Sequence, residues 1–130
     1  KLSGIEVDLS DAPDLFPIIA VVGCMAEGTT RLFGAAHLAF KESNRLQTTA
    51  AFLSAMGADI TATEDGCIIR GGRPLHGAEI ETKGDHRIAM AGAVAALTAE
   101  GKTIIDDISC ADVSYPAFVS DLRKLGGNTA

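Results

Sequence analysis

Three short segments crowd ionisable and polar side chains beside long apolar runs. They are Asp8-Leu9-Ser10-Asp11-Ala12-Pro13-Asp14, Lys41-Glu42-Ser43-Asn44-Arg45-Leu46 and Lys83-Gly84-Asp85-His86-Arg87-Ile88-Ala89-Met90-Ala91. In each, the charged residues sit in a loop or first turn, just before a stretch whose pattern predicts a helix. Free backbone N–H groups and the helix dipole favour an anion at such a place. Arg and Lys there turn a weak preference into a clamp for carboxylate or phosphate. Helices that all start on one edge of a sheet bring such loops together into an anion site.

Plainer readings stand beside this one. Asp14 and Asp85 also read as helix caps, since Asp is favoured at that position. Arg45 and Glu42 could form a solvated pair three residues apart on one helix. His86 reads equally as an ordinary polar residue, with no partner at metal-ligand spacing. Arg87 resists such a reading, because the residues after it are apolar and no solvated face continues from it.

The elements that must position these residues follow from periodicity. Ile5 to Leu9 alternates as a half-buried strand does. Pro13 and Asp14 open Leu15 to Glu27, a helix apolar on nearly every side, closed by Gly28. Thr29 to Phe33 predicts a strand. Ser43 to Met56 predicts a second helix, with Leu46, Thr49, Ala50, Leu53 and Met56 on one face. Asp59 to Thr63 and Cys67 to Arg70 flank Glu64-Asp65-Gly66 as a hairpin with Asp-Gly at its turn.

The same grammar then restarts. Ala78 to Thr82 reads as a strand, Asp85 to Glu100 as an Ala-rich helix ended by Gly101, Thr103 to Asp106 as a strand, and Tyr115 to Leu125 as a last helix. Ala26-Glu27-Gly28-Thr29-Thr30 matches Ala99-Glu100-Gly101-Lys102-Thr103, and Met56-Gly57 echoes Leu125-Gly126. The order is β-α-β-α-β-β, then a second copy without its closing strands, meeting at Gly71-Gly72-Arg73-Pro74. Such repeats imply stacked units sharing a core. The expectation is one incomplete α/β domain over residues 1–130, with a first unit at about 5–71 and a second, truncated unit at about 78–127.

Bulk composition narrows the chemistry. The 130 residues are 47% hydrophobic and only 5% aromatic, with no Trp, so Ala, Val, Ile, Leu and Met must fill the core. A net charge of −6 argues against nucleic acid as a partner, because phosphate-backbone affinity needs a basic face. A small anion is still compatible, since a few positioned cations dominate a cleft. Cys24, Cys67 and Cys110 are far apart and unpaired in spacing, which predicts free thiols, no zinc and no disulfide framework. Cys24 and Cys67, in apolar surroundings, read as buried and inert. The apolar stretch from Leu15 to Met25 is too short to cross a bilayer. Lys1 is not an initiator Met, so an excised segment is expected.

Lys41-Glu42-Ser43-Asn44-Arg45-Leu46 and Asp85-His86-Arg87-Ile88-Ala89-Met90 resemble two motifs of the 5-enolpyruvylshikimate-3-phosphate synthases. Pro13-Asp14 and Ser114-Tyr115-Pro116-Ala117-Phe118 resemble two further landmarks, in the right order, so the resemblance spans about residues 5–127. It implies the inverse α/β barrel type of enolpyruvyl transferases: two similar domains, each of three β-α-β-α-β-β units with helices packed inward. It also implies transfer of the enolpyruvyl group from phosphoenolpyruvate to the 5-hydroxyl of shikimate 3-phosphate, releasing phosphate, in the cytoplasm and with no metal or organic cofactor. By the same resemblance Asp14 handles the attacking hydroxyl's proton and Glu42 moves a proton at the enolpyruvyl methylene. Lys41 and His37 contact shikimate 3-phosphate, Arg45 and Arg87 bind phosphoenolpyruvate, and His86 lies beside them.

Two positions depart from the family pattern. Val113 stands where a Lys usually helps hold phosphoenolpyruvate, a charge-assisted contact worth roughly 1.5–3 kcal/mol. Asn44 replaces an Asp found in many members. A related UDP-N-acetylglucosamine enolpyruvyl transferase lacks the two charged motifs and relies on a loop cysteine; a non-catalytic anion-binding repeat domain is the alternative of another class. The remaining expected partner is an N-terminal domain of the same chain that completes the site. The 130 residues alone are therefore expected to turn over no substrate, and phosphate release by them in a colorimetric assay contradicts this.

Overall fold

A computed structural model describes residues 4–40 and 44–106. Cys110, Val113, the Ser114 to Phe118 segment and the expected Tyr115 to Leu125 helix lie outside the described residues, as do Lys41, Glu42 and Ser43. The first unit runs β1 (Glu6–Asp8), a 3-10 turn (Pro13–Leu15), α1 (Phe16–Met25), β2 (Thr29–Phe33), a second 3-10 turn (Ala36–Phe40), α2 (Arg45–Ala55), β3 (Asp59–Ala62) and β4 (Cys67–Arg70). The second runs β5 (Glu79–Ile80), α3 (His86–Thr98) and β6 (Ile104–Ile105).

The first sheet has the order β1-β2-β4-β3, with β1 parallel to β2 and both other pairings antiparallel. Thr30, Leu32, Cys67, Ile69 and Ile60 are buried on one face of it, and α1 and α2 cover that face. The result is two layers, helices on sheet, as the alternation along each strand requires. Phe16, Val21, Leu38, Leu53, Met56 and Ile88 fill the space between the layers without exposure above 2%. α1 is covered on several sides because α3 packs on it as well as the sheet.

Boundaries differ from the sequence expectation for physical reasons. The helix expected from Leu15 starts at Phe16, because Pro13 opens a tight 3-10 turn first. Pro17 costs α1 nothing, since first-turn N–H groups have no partner within the helix. The chain leaves α1 at Ala26, which is already extended, and Gly28 then supplies the left-handed backbone with φ +86°. Gly66 is needed for proximity rather than for turn geometry: a Cβ there would lie 1.8 Å from the Leu32 carbonyl oxygen. The strand expected to reach Thr82 ends at Ile80, because the Thr82 amide turns to the Asp106 side chain.

The two sets of elements share hydrogen bonds as well as order. The Gly4 amide donates to Glu27 O and the Gly77 amide to Glu100 O, both at 2.6 Å. The Arg31 amide donates to Ile5 O and the Ile104 amide to Ala78 O, both at 2.9 Å. Gly28 and Gly101 each have φ +86°. Each residue pairs with one 73 positions on (4 with 77, 31 with 104, 28 with 101), and β5 parallel to β6 repeats β1 parallel to β2 at that offset.

The junction supplies a stability test. A Cβ on Gly71 would stand 1.9 Å from the Ala26 carbonyl oxygen, whereas Gly72, with φ +87°, has nothing within 4 Å. Gly72→Ala is expected to cost about 1–2 kcal/mol, the penalty of a left-handed alanine. Gly71→Ala must move backbone and should cost more, roughly 3 kcal/mol or above. Urea unfolding of both variants checks the order, and equal losses contradict it.

Candidate functional site

Asp14 lies in the 3-10 turn that leads into α1, Arg45 is the first residue of α2, and Asp85 and Arg87 stand at the start of α3. The fold brings these three helix starts together. Arg45 Nε donates to Asp85 Oδ2 at 2.8 Å, and Arg45 Nη1 donates to Asp14 Oδ1 at 3.0 Å. Arg87 Nη2 faces the other oxygen of Asp14 at 3.8 Å. Asp14 and Arg87 are 73 positions apart, so the repeat puts opposite charges at equivalent places and sets them face to face.

Each member is held by local structure. Asn44 caps α2 by accepting from the Gln47 amide at 3.3 Å, which fixes the turn carrying Arg45. Asp85 caps α3, its Oδ1 accepting from the Arg87 amide at 2.9 Å while Oδ2 holds Arg45. Capping and ion pairing are here two jobs of one carboxylate. Asp14 makes no cap; Ala12 precedes its turn and contributes no side-chain bond.

Burial separates the roles. The Arg45 and Asp85 side chains are 2% and 0% exposed, whereas Asp14 is 51% and Arg87 33% exposed. Withdrawing two charges from water costs several kcal/mol each, so the pair persists only because its hydrogen bonds are well placed. The Arg45–Asp85 pair is closed off from water, and the Asp14–Arg87 pair is the more exposed of the two. Arg87 Nε is buried without a hydrogen-bond partner among the described residues. Asp14 and Arg87 line the mouth of a cavity of about 210 Å3 whose walls include Leu15 and Ile18 from the α1 side and Met90 and Val94 from α3.

Of the other residues expected at the site, His86 is the first residue of α3 and half-buried beside Arg87. His37 is exposed on the second 3-10 turn and makes no hydrogen bond or ion pair with the cluster among the described residues. Lys41 and Glu42 lie outside the described residues. The sequence offered Asp85 as a cap and as a member of a charged segment, without showing its partnership with Arg45. The signal available was a charged residue, Arg45, whose helix has an apolar inner face. A larger depression of about 400 Å3 beside α2 carries Glu79 and Glu81 with one Lys83, a charge balance unsuited to an anion. No helix among the described residues is long and apolar enough to cross a membrane.

Cys24 and Cys67 are free thiols inside the core, away from this cluster. Burial pushes Cys24 up to about 11, and burial with the neighbouring Cys24 pushes Cys67 up to about 12. Such thiols are protonated and inert at neutral pH.

The class defined by the fold is an α/β domain whose three helix starts converge on two guanidinium groups and two carboxylates. The family model for EPSP synthase (3-phosphoshikimate 1-carboxyvinyltransferase) matches residues 1–122, and the chain belongs to that family. The 3-phosphoshikimate 1-carboxyvinyltransferase of Methanocorpusculum labreanum is 58% identical over 127 residues, 98% of this chain and 30% of the relative. The solved EPSP synthase from Acinetobacter baumannii superposes with a TM-score of 0.91 at 40% identity, over 98% of this chain and 31% of that one. The enolpyruvyl transferase NikO from Streptomyces tendae gives 0.78 at 25% identity, over 97% and 28%. The chain thus spans about 30% of the length of the curated relatives it matches, and it has the mixed α/β architecture of the enolpyruvyl transferases.

Two outcomes follow from the burial pattern. Asp85→Ala strands a buried guanidinium and should cost about 3–5 kcal/mol in denaturant unfolding. Asp14→Ala, at a half-exposed carboxylate, should cost about 1 kcal/mol or less; equal losses contradict the division of roles. The thiols set an alkaline limit. Their folded values lie above the ordinary 9, so the unfolded chain loses these protons first as pH rises. Their contribution is full below pH 9 and declines from there through about 11–12, so a Cys24→Ala, Cys67→Ala variant should show a shallower loss of stability over that window.

Proposed function

We propose that the protein carrying this chain transfers the enolpyruvyl group of phosphoenolpyruvate to the 5-hydroxyl of shikimate 3-phosphate in the cytoplasm, with release of phosphate. The observation that carries the reading is Arg87, a partly open guanidinium held over Asp14 at 3.8 Å above a buried Arg45–Asp85 pair. Family membership supplies the reaction class. The division into two repeated units, at about 5–71 and 78–127, is part of the same proposal and is supported by the shared hydrogen bonds.

The shikimate 3-phosphate hydroxyl attacks C2 of phosphoenolpyruvate while the methylene carbon takes a proton, giving a tetrahedral intermediate. Loss of a methyl proton and of phosphate then restores the double bond in the product. Asp14 receives the hydroxyl proton, and Glu42 delivers and removes the methylene proton. Both steps are general acid–base work for positioned carboxylates. Lys41 and His37 hold shikimate 3-phosphate, while Arg45, His86 and Arg87 face phosphoenolpyruvate.

Arg45 and Arg87 do not contribute alike. Arg45 has Nε and Nη1 committed to carboxylates, so Arg87 carries more of the phosphoenolpyruvate affinity. Preset cations of this kind stabilise the extra negative charge of the intermediate without rearranging. The missing length relative to family members supplies the opposing substrate contacts.

The test is phosphate release by the full-length protein, offered shikimate 3-phosphate or UDP-N-acetylglucosamine as acceptor. Turnover is expected with shikimate 3-phosphate only. Arg87→Ala should raise KM for phosphoenolpyruvate roughly 10–100-fold, the loss of one charge-assisted contact. Turnover with the other acceptor, or with neither, overturns the reading.

A further inference from the structure

The start of α3 stands on a turn that few sequences would hold. Lys83 and Gly84 both have positive φ, 56° and 71°, and Lys83 is the one non-glycine residue in that region among those described. A lysine there is strained, and such conformations persist only where surrounding contacts over-determine them. The contacts come from one threonine and one aspartate. Asp106 Oδ1 accepts from the Thr82 amide at 3.0 Å and from the Thr82 hydroxyl at 2.8 Å. Thr82 Oγ1 in turn accepts from the Gly84 amide at 3.2 Å, and Thr82 O accepts from the Asp85 amide at 2.9 Å. Thr82 is wholly buried, so these bonds are not exchanged for water.

The equivalent place in the first unit lacks this device. There the Leu9 amide donates to the Phe33 carbonyl at 2.9 Å, so backbone does the work that the Asp106 side chain does in the second unit. Leu9 and Thr82, like Phe33 and Asp106, are 73 positions apart. The side-chain version thus occurs where the next residues are Asp85, which holds Arg45, and Arg87, which faces Asp14.

We propose that Asp106, acting through Thr82, is a positioning residue for the reaction: its carboxylate locks the Lys83-Gly84 turn and thereby sets where Asp85 and Arg87 stand. The functional half of this rests on the reading above; the structural half does not. Among the described residues Asp106 holds the turn that carries Asp85 and Arg87, whereas His37 lies on a separate 3-10 turn. Loss of Asp106 should therefore weaken phosphoenolpyruvate binding and leave shikimate 3-phosphate binding alone.

The experiment compares Asp106→Ala, Asp106→Asn and Thr82→Val in the full-length protein. Amide hydrogen exchange reads the bracket whatever the protein catalyses. The amides of Thr82, Gly84, Asp85 and Arg87 should exchange about tenfold faster or more in Asp106→Ala, with α2 unchanged. Unaltered exchange there, or equal acceleration everywhere, overturns the proposal. In steady-state kinetics KM for phosphoenolpyruvate should rise roughly tenfold, with KM for shikimate 3-phosphate within about threefold. Asp106→Asn, which keeps an acceptor oxygen, should recover most of the loss. Thr82→Val, of nearly the same shape, should reproduce the defect even if Asp106→Ala fails to fold. Equal rises in both KM values overturn the positioning role. A parent protein that does not turn over these substrates defeats the functional reading alone, and the exchange data then decide the bracket.

Discussion

A guanidinium withdrawn from water cannot remain unless every direction it points is answered. Arg45 is 1% exposed at the first residue of α2, and its charge is met by Asp85 from α3 and Asp14 from the turn before α1. Satisfying that one side chain requires three helix starts, from 31 to 40 residues away in sequence, to meet at one point. The pair contributes little net stability against a well-packed apolar alternative. What it contributes is geometry. With Arg45 fixed below, Asp14 and Arg87 stand fixed above it, one acidic and one basic, at the mouth of an apolar cleft.

The repeated architecture makes this convergence cheap for the chain. Parallel β1–β2 and β5–β6 ladders deliver α1 and α3 from equivalent positions, and the two helices pack on each other. Their starting turns therefore face one another. Exchanging Asp14 for Arg87 at equivalent places gives an attractive pair where identical residues would repel. The departure from symmetry at Thr82 and Asp106 falls beside the same charges.

Most of the fold was legible because periodicity reports burial. The apolar run of α1 announced a helix covered on several sides, and the alternation of Thr29 to Phe33 announced a strand with one face inward. The Ala-Glu-Gly motif at residues 26–28 and 99–101 announced the repeat, and both copies perform the same backbone task. Boundaries were less legible, since Pro13 and Pro17 permit both a 3-10 turn and an α-helix. Gly66 stands in the β3–β4 turn as expected, but its close approach to Leu32, 34 residues away along the chain, was not legible. At the site, residue types exposed Asp14, Arg45 and Arg87. The partnership of Asp85 with Arg45 was hidden, because sequence does not show which helix start meets which. Asp106 was hidden for the same reason, reading only as the last residue of a strand.

The account stands on Arg45 and Asp85 acting as one buried unit, and a double-mutant cycle measures that directly. Unfolding free energies of Arg45→Met, Asp85→Ala and the double variant give a coupling energy in which unrelated effects cancel. The account predicts about 2 kcal/mol or more of coupling, the double variant being much less damaged than the two single losses combined. Additive losses, with coupling below about 0.5 kcal/mol, would contradict it.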